Sequence, residues 1–577
     1  MKCYKTRIAA TITFYFFCLS LNIKAQHYTY TANYYDTSAL LNGSEVGEDI
    51  IAYRPLLVRG YSGYFFTAGE YAKDQPLQGL RMANFDKNGT LLQSVRFDNS
   101  GYKEYVKKIV ATYKSLYVIC NAVGTNADSV LLVLRYNFNL QLKAQKFFKK
   151  PVYFLPATAA GAVTSGTNKI DEIYIACYQK ENAKSGLAII HLDSNLSIKH
   201  AFEYNYTGAP DNYIEKPADM DIALSNHNAE TIYVAGGILG TDNITRNLLI
   251  KLNGNLTTAW IKTSPSEHVM YNSVKQTGAP NYVVYTAGTA QTNNGTNWKI
   301  EKIDTLTGNT LAHISFSHQQ YNTIPVKITA VTNKLVVTGY EQSTALNTFN
   351  AVIGEFDTSL NTVNGYPVYY KIQLPAGSVL NDAVQDNNAT WIAGQKITGT
   401  NKNMFLYKID NTNGSAVYRD SVINSNAAIN KIAVLDGGTT YPDSNHIAVT
   451  GFKNNSANKF QPQNLSYVTR IYTPQFTPVF SEAKYLKPYV TGMVLSQNNP
   501  NPFSNTTTIN YFIPQQFSSA KIIVTDKNGN TLKAINISGG GKGSVKIDAS
   551  TLAGGAYEYS LYVNNKLIDT KQMISAK

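Results

Sequence analysis

The sequence predicts an all-β chain, and three observations predict it. Residues that suit a half-buried pleated surface abound, with 41 Tyr among 577 residues, while only 15% are charged. Asn, Gly and Ser recur at short intervals and supply turns. Above all, the stretch TIYVAGGILGTDNITRNLLIKLNGNLTTAWIKTS (231–264) recurs as a pattern: apolar strand, small residue, polar loop, apolar strand, Asp or Asn, turn, strand.

Two columns define the repeat. The small residue falls on Gly69, Cys120, Cys177, Gly236, Gly288, Gly339, Gly394 and Gly451, at spacings of 51, 57, 59, 52, 51, 55 and 57. The second column lies 16 to 18 residues downstream, on Asp86, Asn137, Asp193, Asn253, Asp304, Asp357 and Asp410. The eighth copy is stretched and places Tyr472 there, 21 residues on. The residue before this column is apolar in every copy: Phe85, Tyr136, Leu192, Leu252, Ile303, Phe356, Ile409 and Ile471.

Each copy reads as four short strands. The first is expected at Asp49–Tyr53, Val106–Ala111, Ala159–Val163, Asp221–Leu224, Ser273–Gln276, Val326–Val331, Ala383–Gln385 and Lys431–Leu435. The second carries the small residue. The third alternates sides, as in Trp298-Lys299-Ile300-Glu301-Lys302-Ile303, the period-2 mark of a strand. The fourth follows a turn such as Asp86-Lys87-Asn88-Gly89. A short carboxylate or amide there bonds backbone groups two residues on, so the Asp/Asn column is a turn column. Calcium is the competing reading, but the acids are single and often replaced by Asn.

Four strands per unit and no helical stretch between units point to a β-propeller of about eight blades over residues 49–485, or seven if the long last copy is an atypical cap. Small residues in the second strand are expected where inner strands crowd toward the axis. The lead-in 26–48 carries one strand-like run, His27–Tyr35, placed to close the ring. The repeats resemble bacterial propeller repeats whose hairpins carry Asp/Asn-x-x-Gly turns.

The first 25 residues read as a signal peptide. Lys2, Lys5 and Arg7 precede the mostly apolar 8–23, and Ala25 offers a small residue at the cleavage point. Removing them takes away four positive charges and leaves +9 of the formal +13. No Lys/Arg run exceeds a pair such as Lys149–Lys150, so no nucleic-acid patch is expected. No other stretch is long and apolar enough for a transmembrane helix. Cys120 and Cys177 share a column in neighbouring copies, a separation too wide for an easy disulfide.

Composition shifts near Leu486. A linker (486–498) leads into the run NPNPFSNTTTINYFIP (499–514), then KIIVTD (521–526), the turn DKNGN (526–530), a Gly-rich turn at 539–543, and hairpins ending at Lys577. This predicts a small antiparallel β-sandwich of six or seven strands. The residues Pro500-Asn501-Pro502-Phe503, Thr508-Ile509-Asn510-Tyr511, Asp526 with Gly529, Leu552-x-x-Gly555-x-Tyr557, and the terminal 571–577 up to Lys577 carry a resemblance. They resemble the type A C-terminal sorting domain of the type IX (Por) secretion system. That resemblance implies engagement of the type IX machinery, passage across the outer membrane, removal of the domain, and release or attachment at the surface of a Gram-negative cell. Ala556 stands where the family uses a Val-like residue.

Motifs for chemistry are missing: there is no G-x-S-x-G elbow and no H-E-x-x-H. His313 and His318 are expected on opposite strand faces, wrong for joint metal ligation. The run Gly539–Ser544 lacks the G-K-[ST] order of a phosphate loop. QTNNGTNW (291–298) resembles a degraded Asp-box turn that departs at Gln291 and Asn293, and Trp298 reads as a packing residue. The expectation is therefore no catalytic residue, no cofactor and no metal. The function read from the sequence is a secreted or surface-exposed binding propeller with a glycan or protein ligand. Two alternatives stand beside it: a secreted carbohydrate-active enzyme or peptidase, and a structural surface-layer protein.

Overall fold

The computed structural model describes residues from His27 to Ala576, with 36–43, 54–62, 163–170, 207–213, 224–230, 436–444, 455–464, 476–493 and some shorter segments outside the description. The expected signal peptide, most of the expected linker and Lys577 also lie outside the described residues. The chain divides into two compact units, one carrying the repeats and one beginning near Lys484.

After β1 (His27–Tyr35), the first unit builds four-stranded antiparallel sheets one after another. The first holds β2 (Ser44–Tyr53), β3 (Tyr64–Lys73), β4 (Gly79–Asp86) and β5 (Leu91–Phe97). The second holds β6 (Tyr102–Ala111), β7 (Leu116–Gly124), β8 (Ser129–Tyr136) and β9 (Leu142–Phe148). The third holds β10 (Tyr153–Ala162), β11 (Glu172–Glu181), β12 (Lys184–Leu192) and β13 (Ile198–Tyr204). The fourth holds β14 (Ile214–Ala223), β15 (Thr231–Leu239), β16 (Thr245–Asn253) and β17 (Thr258–Thr263). The fifth holds β18 (Val269–Gln276), β19 (Val283–Thr292), β20 (Gly295–Asp304) and β21 (Thr310–Phe316). The sixth holds β22 (Asn322–Val331), β23 (Lys334–Ser343), β24 (Thr348–Asp357) and β25 (Val368–Pro375). The seventh holds β26 (Val379–Asp386), β27 (Ala389–Thr398), β28 (Asn401–Asp410) and β29 (Ala416–Ser421). The eighth holds β30 (Ala427–Leu435), β31 (His446–Asn454) and β32 (Leu465–Gln475), and takes β1 as its fourth strand, His27 opposite Gln475 and Tyr35 opposite Val468.

Alternation along each second strand sends successive side chains to opposite sheet faces. On β7, Cys120 and Val118 face the first sheet, while Tyr117 and Ile119 face the third. Each pair of neighbouring sheets thus encloses its own apolar slab. The slab between the last and first sheets joins Ala433, Leu435, Ala448 and Ile471 to Ile50, Phe65, Ala83 and Phe85. The series therefore returns on itself, as a β-propeller does. Cys120 and Cys177 sit in different slabs and are free thiols. Trp298 is fully buried among Tyr285, Ile300 and Phe316.

The small-residue column has a cause different from the expected crowding at the axis. In all eight sheets the column residue lies opposite a β-bulge in the innermost strand of its own sheet. Pro217 pairs with Gly236 and the register then skips Ala218; Ile429 pairs with Gly451 and it skips Asn430. The bulge drives the carbonyl of the preceding residue at the column Cα. A Cβ on Gly288 would stand 2.8 Å from Met270 O, and one on Gly236 would overlap Lys216 O. The bulges also break the period-2 pattern, so the innermost strands are longer than the sequence expectation: β26 begins at Val379 rather than Ala383, and β14 at Ile214 rather than Asp221.

The Asp/Asn column closes the turn after each third strand. Asp193 Oδ1 accepts from Asn195 N and Ser197 N, both at 2.8 Å, and Asp86 Oδ1 accepts from Asn88 N and Thr90 N. Further into these turns a residue takes positive φ. It is Gly89, Gly308 or Gly414 in some copies, but Leu140, Leu196, Leu256 or Leu360 in others. A left-handed leucine costs roughly 1–2 kcal/mol. Each of these leucines is at most 5% exposed, and burying one returns roughly 1.5–3 kcal/mol.

We expect Gly236→Leu to lower propeller stability by at least ~1–3 kcal/mol, because the obstructing atom is backbone. A thermal melt unchanged from wild type would refute the bulge account.

Candidate functional site

The innermost strand of each sheet has one neighbour only, so its inner edge leaves backbone groups to be satisfied. Side chains at the bulge do this across sheets. The bulge residues Asn272, Asn381 and Asn430 each donate through Nδ2 to a carbonyl of the next innermost strand: Pro325 O (2.7 Å), Ile429 O (2.7 Å) and Gly47 O (2.9 Å). The last of these joins the eighth sheet to the first in the same register as the others.

The next residue along forms a belt of Asp49, Lys108, Asp219, Ser273, Lys327, Asp382 and Lys431, with Thr158 at the third sheet's position. Asp49 Oδ2 accepts from Ile109 N at 2.8 Å, Asp219 Oδ2 from Val274 N at 3.0 Å, and Asp382 Oδ2 from Ile432 N at 3.2 Å. Ser273 Oγ donates to Asp219 Oδ2 and accepts from Ile328 N. Lys327 and Lys431 approach Asp382 Oδ1 at 3.7 and 3.9 Å, and Lys108 approaches Asp49 at 3.9 Å.

These charges share one centre. Asp382 raises the Lys431 ammonium above its ordinary value against the cost of burial, helped by Asp49, Asp219 and Glu48. Burial pushes the Asp382 carboxyl up, but Lys327 and Lys431 outweigh it and hold the group below its usual range. At Asp219 burial wins, and its carboxyl is raised. The belt carboxylates thus accept backbone N–H groups, and Lys431 is held in its charged form. Such an arrangement locks sheets together.

Two residues before the bulge pair, Glu104 and Glu215 staple the connection from the preceding sheet. Glu104 Oε1 accepts from Asn99 N at 3.2 Å and Glu215 Oε1 from Tyr206 N at 2.7 Å. Burial raises both carboxyls, Glu104 to about 8 with Asp98 adding to the effect. The sequence reading missed this set and the belt, because the bulge that aligns them is invisible in residue types. It also missed the Glu341 cluster. Glu341 is fully buried and accepts from Lys371 Nζ (2.9 Å) and Asn350 Nδ2 (2.7 Å), with His318 Nδ1 at 3.1 Å. His313 lies on β21 and His318 beyond its end.

Tyrosines tie neighbouring sheets at the turns. Tyr174 OH donates to Gly254 O (2.8 Å), Tyr285 OH to Thr358 O (2.6 Å) and Tyr370 OH to Asn411 O (2.7 Å). Each acceptor directly follows an Asp/Asn column residue. Among the described residues, no group of three or more His, Cys, Asp or Glu is placed to hold a metal ion.

The second unit pairs two sheets. One holds β33 (Val494–Leu495), β34 (Thr506–Ile513) and β37 (Gly541–Asp548); the other runs in the order β36 (Thr531–Ile537), β35 (Ala520–Thr525), β38 (Gly555–Val563), β39 (Lys566–Ser575). The sandwich core includes Phe503, Ile522, Tyr559 and Met573. Three groups of the residues singled out from the sequence make defined contacts. Pro500-Asn501-Pro502-Phe503 fastens the last strand: Asn501 Oδ1 accepts from Ile574 N (2.8 Å), Phe503 N donates to Ile574 O (3.0 Å), and Ala576 N donates to Phe503 O (2.8 Å). Asp526 and Gly529 form a turn like those of the repeats, with Gly529 at φ 82° and Asp526 Oδ1 accepting from Asn530 N. Gly555 (φ 151°) opens β38, and Tyr557 OH donates to Ala553 O at 2.9 Å, binding that strand's start to the turn before it.

Comparison with known proteins agrees with this second unit. Residues 499–575 match the secretion system C-terminal sorting domain family. The chain is therefore a type IX secretion substrate, secreted or attached to the cell surface. No curated protein matches the chain. Among solved structures, the WD40 domain of SCAP from fission yeast is 9% identical, with 79% of this chain and 100% of that one covered and a TM-score of 0.41. Sqt1 from Chaetomium thermophilum is 12% identical, with 77% and 99% covered and a TM-score of 0.42. Among the described residues no helix is long and apolar enough to cross a membrane.

A carboxyl raised by folding binds its proton more tightly in the native state, so its contribution to stability is full below its ordinary value near 4.5 and is lost as pH rises toward 8. We expect Glu104→Gln to melt higher than wild type at pH 8 and close to it at pH 5. Calorimetry across this range that shows parallel curves would contradict the assignment. We also expect Asn430→Ala to cost about 1 kcal/mol, the worth of one intramolecular hydrogen bond, in urea unfolding.

Proposed function

We propose that residues 49–485 form a non-catalytic binding or adhesion module, delivered to the outer cell surface by the sorting unit at 499–577. In this reading 1–25 is a removed signal peptide, 26–48 a lead-in carrying the strand that completes the last sheet, and 486–498 a linker. The ligand is a glycan or a surface protein. The observation that carries the non-catalytic part is the belt: its carboxylates accept backbone N–H groups and its lysines face those carboxylates. Charged groups of a catalytic centre are expected to face substrate instead, with at least one base free to take a proton.

Support for delivery comes from the sorting family match and from the separate core of the second unit, which is what a detachable address requires. Removing residues 495–577 is expected to leave the propeller folded but held in the periplasm, read by cell fractionation against the full-length chain. A truncated chain that reaches the surface or medium sinks the address reading. A glycan and surface-protein array probed with the secreted protein tests the binding part; hydrolysis of an arrayed glycan or peptide would replace it with an enzymatic one.

A further inference from the structure

The Gly-rich run at 539–543 has a place in the second unit that no motif explains. It joins β36 to β37, each the terminal strand of its own sheet. The two pair with β35 and β34 respectively, and no ladder joins them among the described residues. Between them opens a cavity of about 550 Å³. Its floor includes Tyr511, Ile535 and Val545, half-buried against the sandwich core. Gly543 makes this floor: a Cβ there would collide with the Tyr511 ring. Among the described residues, the charged ones that line the cavity are Lys533 and Lys546, both exposed.

A long unpaired strand edge is a template for another strand, and natural proteins usually blunt one. β36 carries one such device, the exposed Lys533. Its first four residues are exposed, and Leu532 stands 48% open to solvent. An added strand of about six residues would run roughly 20 Å, the length of β36 itself. Backbone pairing supplies affinity in such additions, and side-chain pockets supply selection. Here the selecting features are a mixed lining, in which Tyr511, Ile535 and Val545 sit beside Asn536 and Ser544, and the two lysines Lys533 and Lys546.

We propose that this seam accepts an extended acidic segment of a partner protein, which pairs with the free edge of β36 and sets its carboxylates on Lys533 and Lys546. The inference rests on the export reading, since a sorting unit needs a surface to be read by. The test uses the purified full-length chain and a labelled peptide of alternating Val and Glu, followed by fluorescence anisotropy. The wild type is expected to bind it, and K533E/K546E to bind at least tenfold more weakly while gaining affinity for the Val-Lys counterpart. The Lys533→Ala, Lys546→Ala double variant provides the same comparison if charge reversal disturbs the melt. Methylating alternate peptide nitrogens, which blocks strand pairing, is expected to abolish binding. No binding, binding unaffected by either double variant, or equal binding of the methylated peptide or a heparin fragment overturns the proposal. Fractionation of the chain lacking 495–577 is scored separately, so failure of the export reading is distinguishable from failure of the groove.

Discussion

The innermost strand of each propeller sheet sets the problem that the rest of the first unit solves. Its inner edge faces no partner strand, and an unpaired backbone group kept from water costs about 1–3 kcal/mol. A bulge at one fixed register turns local side chains toward the neighbouring sheet. Asn at the bulge donates to the next carbonyl, and Asp just past it accepts from the next N–H. The same bulge pushes a carbonyl at the facing strand, which explains the column of glycine there. Cys120 and Cys177 occupy that register as fully buried residues, so the second and third sheets accommodate a Cβ where others do not.

A second set of bonds works at the opposite end of the second strands. There the Asp or Asn fixes a turn, and the following carbonyl receives a hydroxyl or amine from the preceding sheet. Lys251 Nζ and Trp260 Nε1 both donate to Thr305 O where tyrosine does so elsewhere. Tyr174, Tyr285 and Tyr370 suit this geometry: the ring packs between sheets and the hydroxyl reaches the neighbour's turn. Tyr174, Tyr233 and Tyr285 are each at most 1% exposed, so these rings serve packing and not ligand stacking.

What the sequence disclosed was whatever repeats in residue type. The two columns, the strand order, the turn role of Asp86 or Asp193 and the burial of Trp298 could all be read from spacing and period. The bulges could not, since Ala218, Asn272 and Val326 share no chemistry, and for that reason the period-2 pattern marks only part of each innermost strand. The belt was hidden for the same reason: Asp49, Lys108, Ser273 and Lys327 look unrelated until the register aligns them. The leucines at positive φ were hidden too, because leucine in a sequence signals strand or core and gives no turn signal.

In the second unit the motif residues divide by burial, and that division bears on how the unit is recognised. Phe503 and Tyr557 are buried, so the first anchors the core and the second fixes the start of β38. Asn501 is exposed, yet its side chain is committed to Ile574 N and Gln572 O of the last strand. Asp526 likewise spends its oxygens on Asn530. Groups bonded inside the fold hold its strands and turns in place. These residues therefore specify the shape of the sandwich, above all the fastening of β39. What a partner can read is the surface that this shape presents, its strand edges and the exposed lysines beside them.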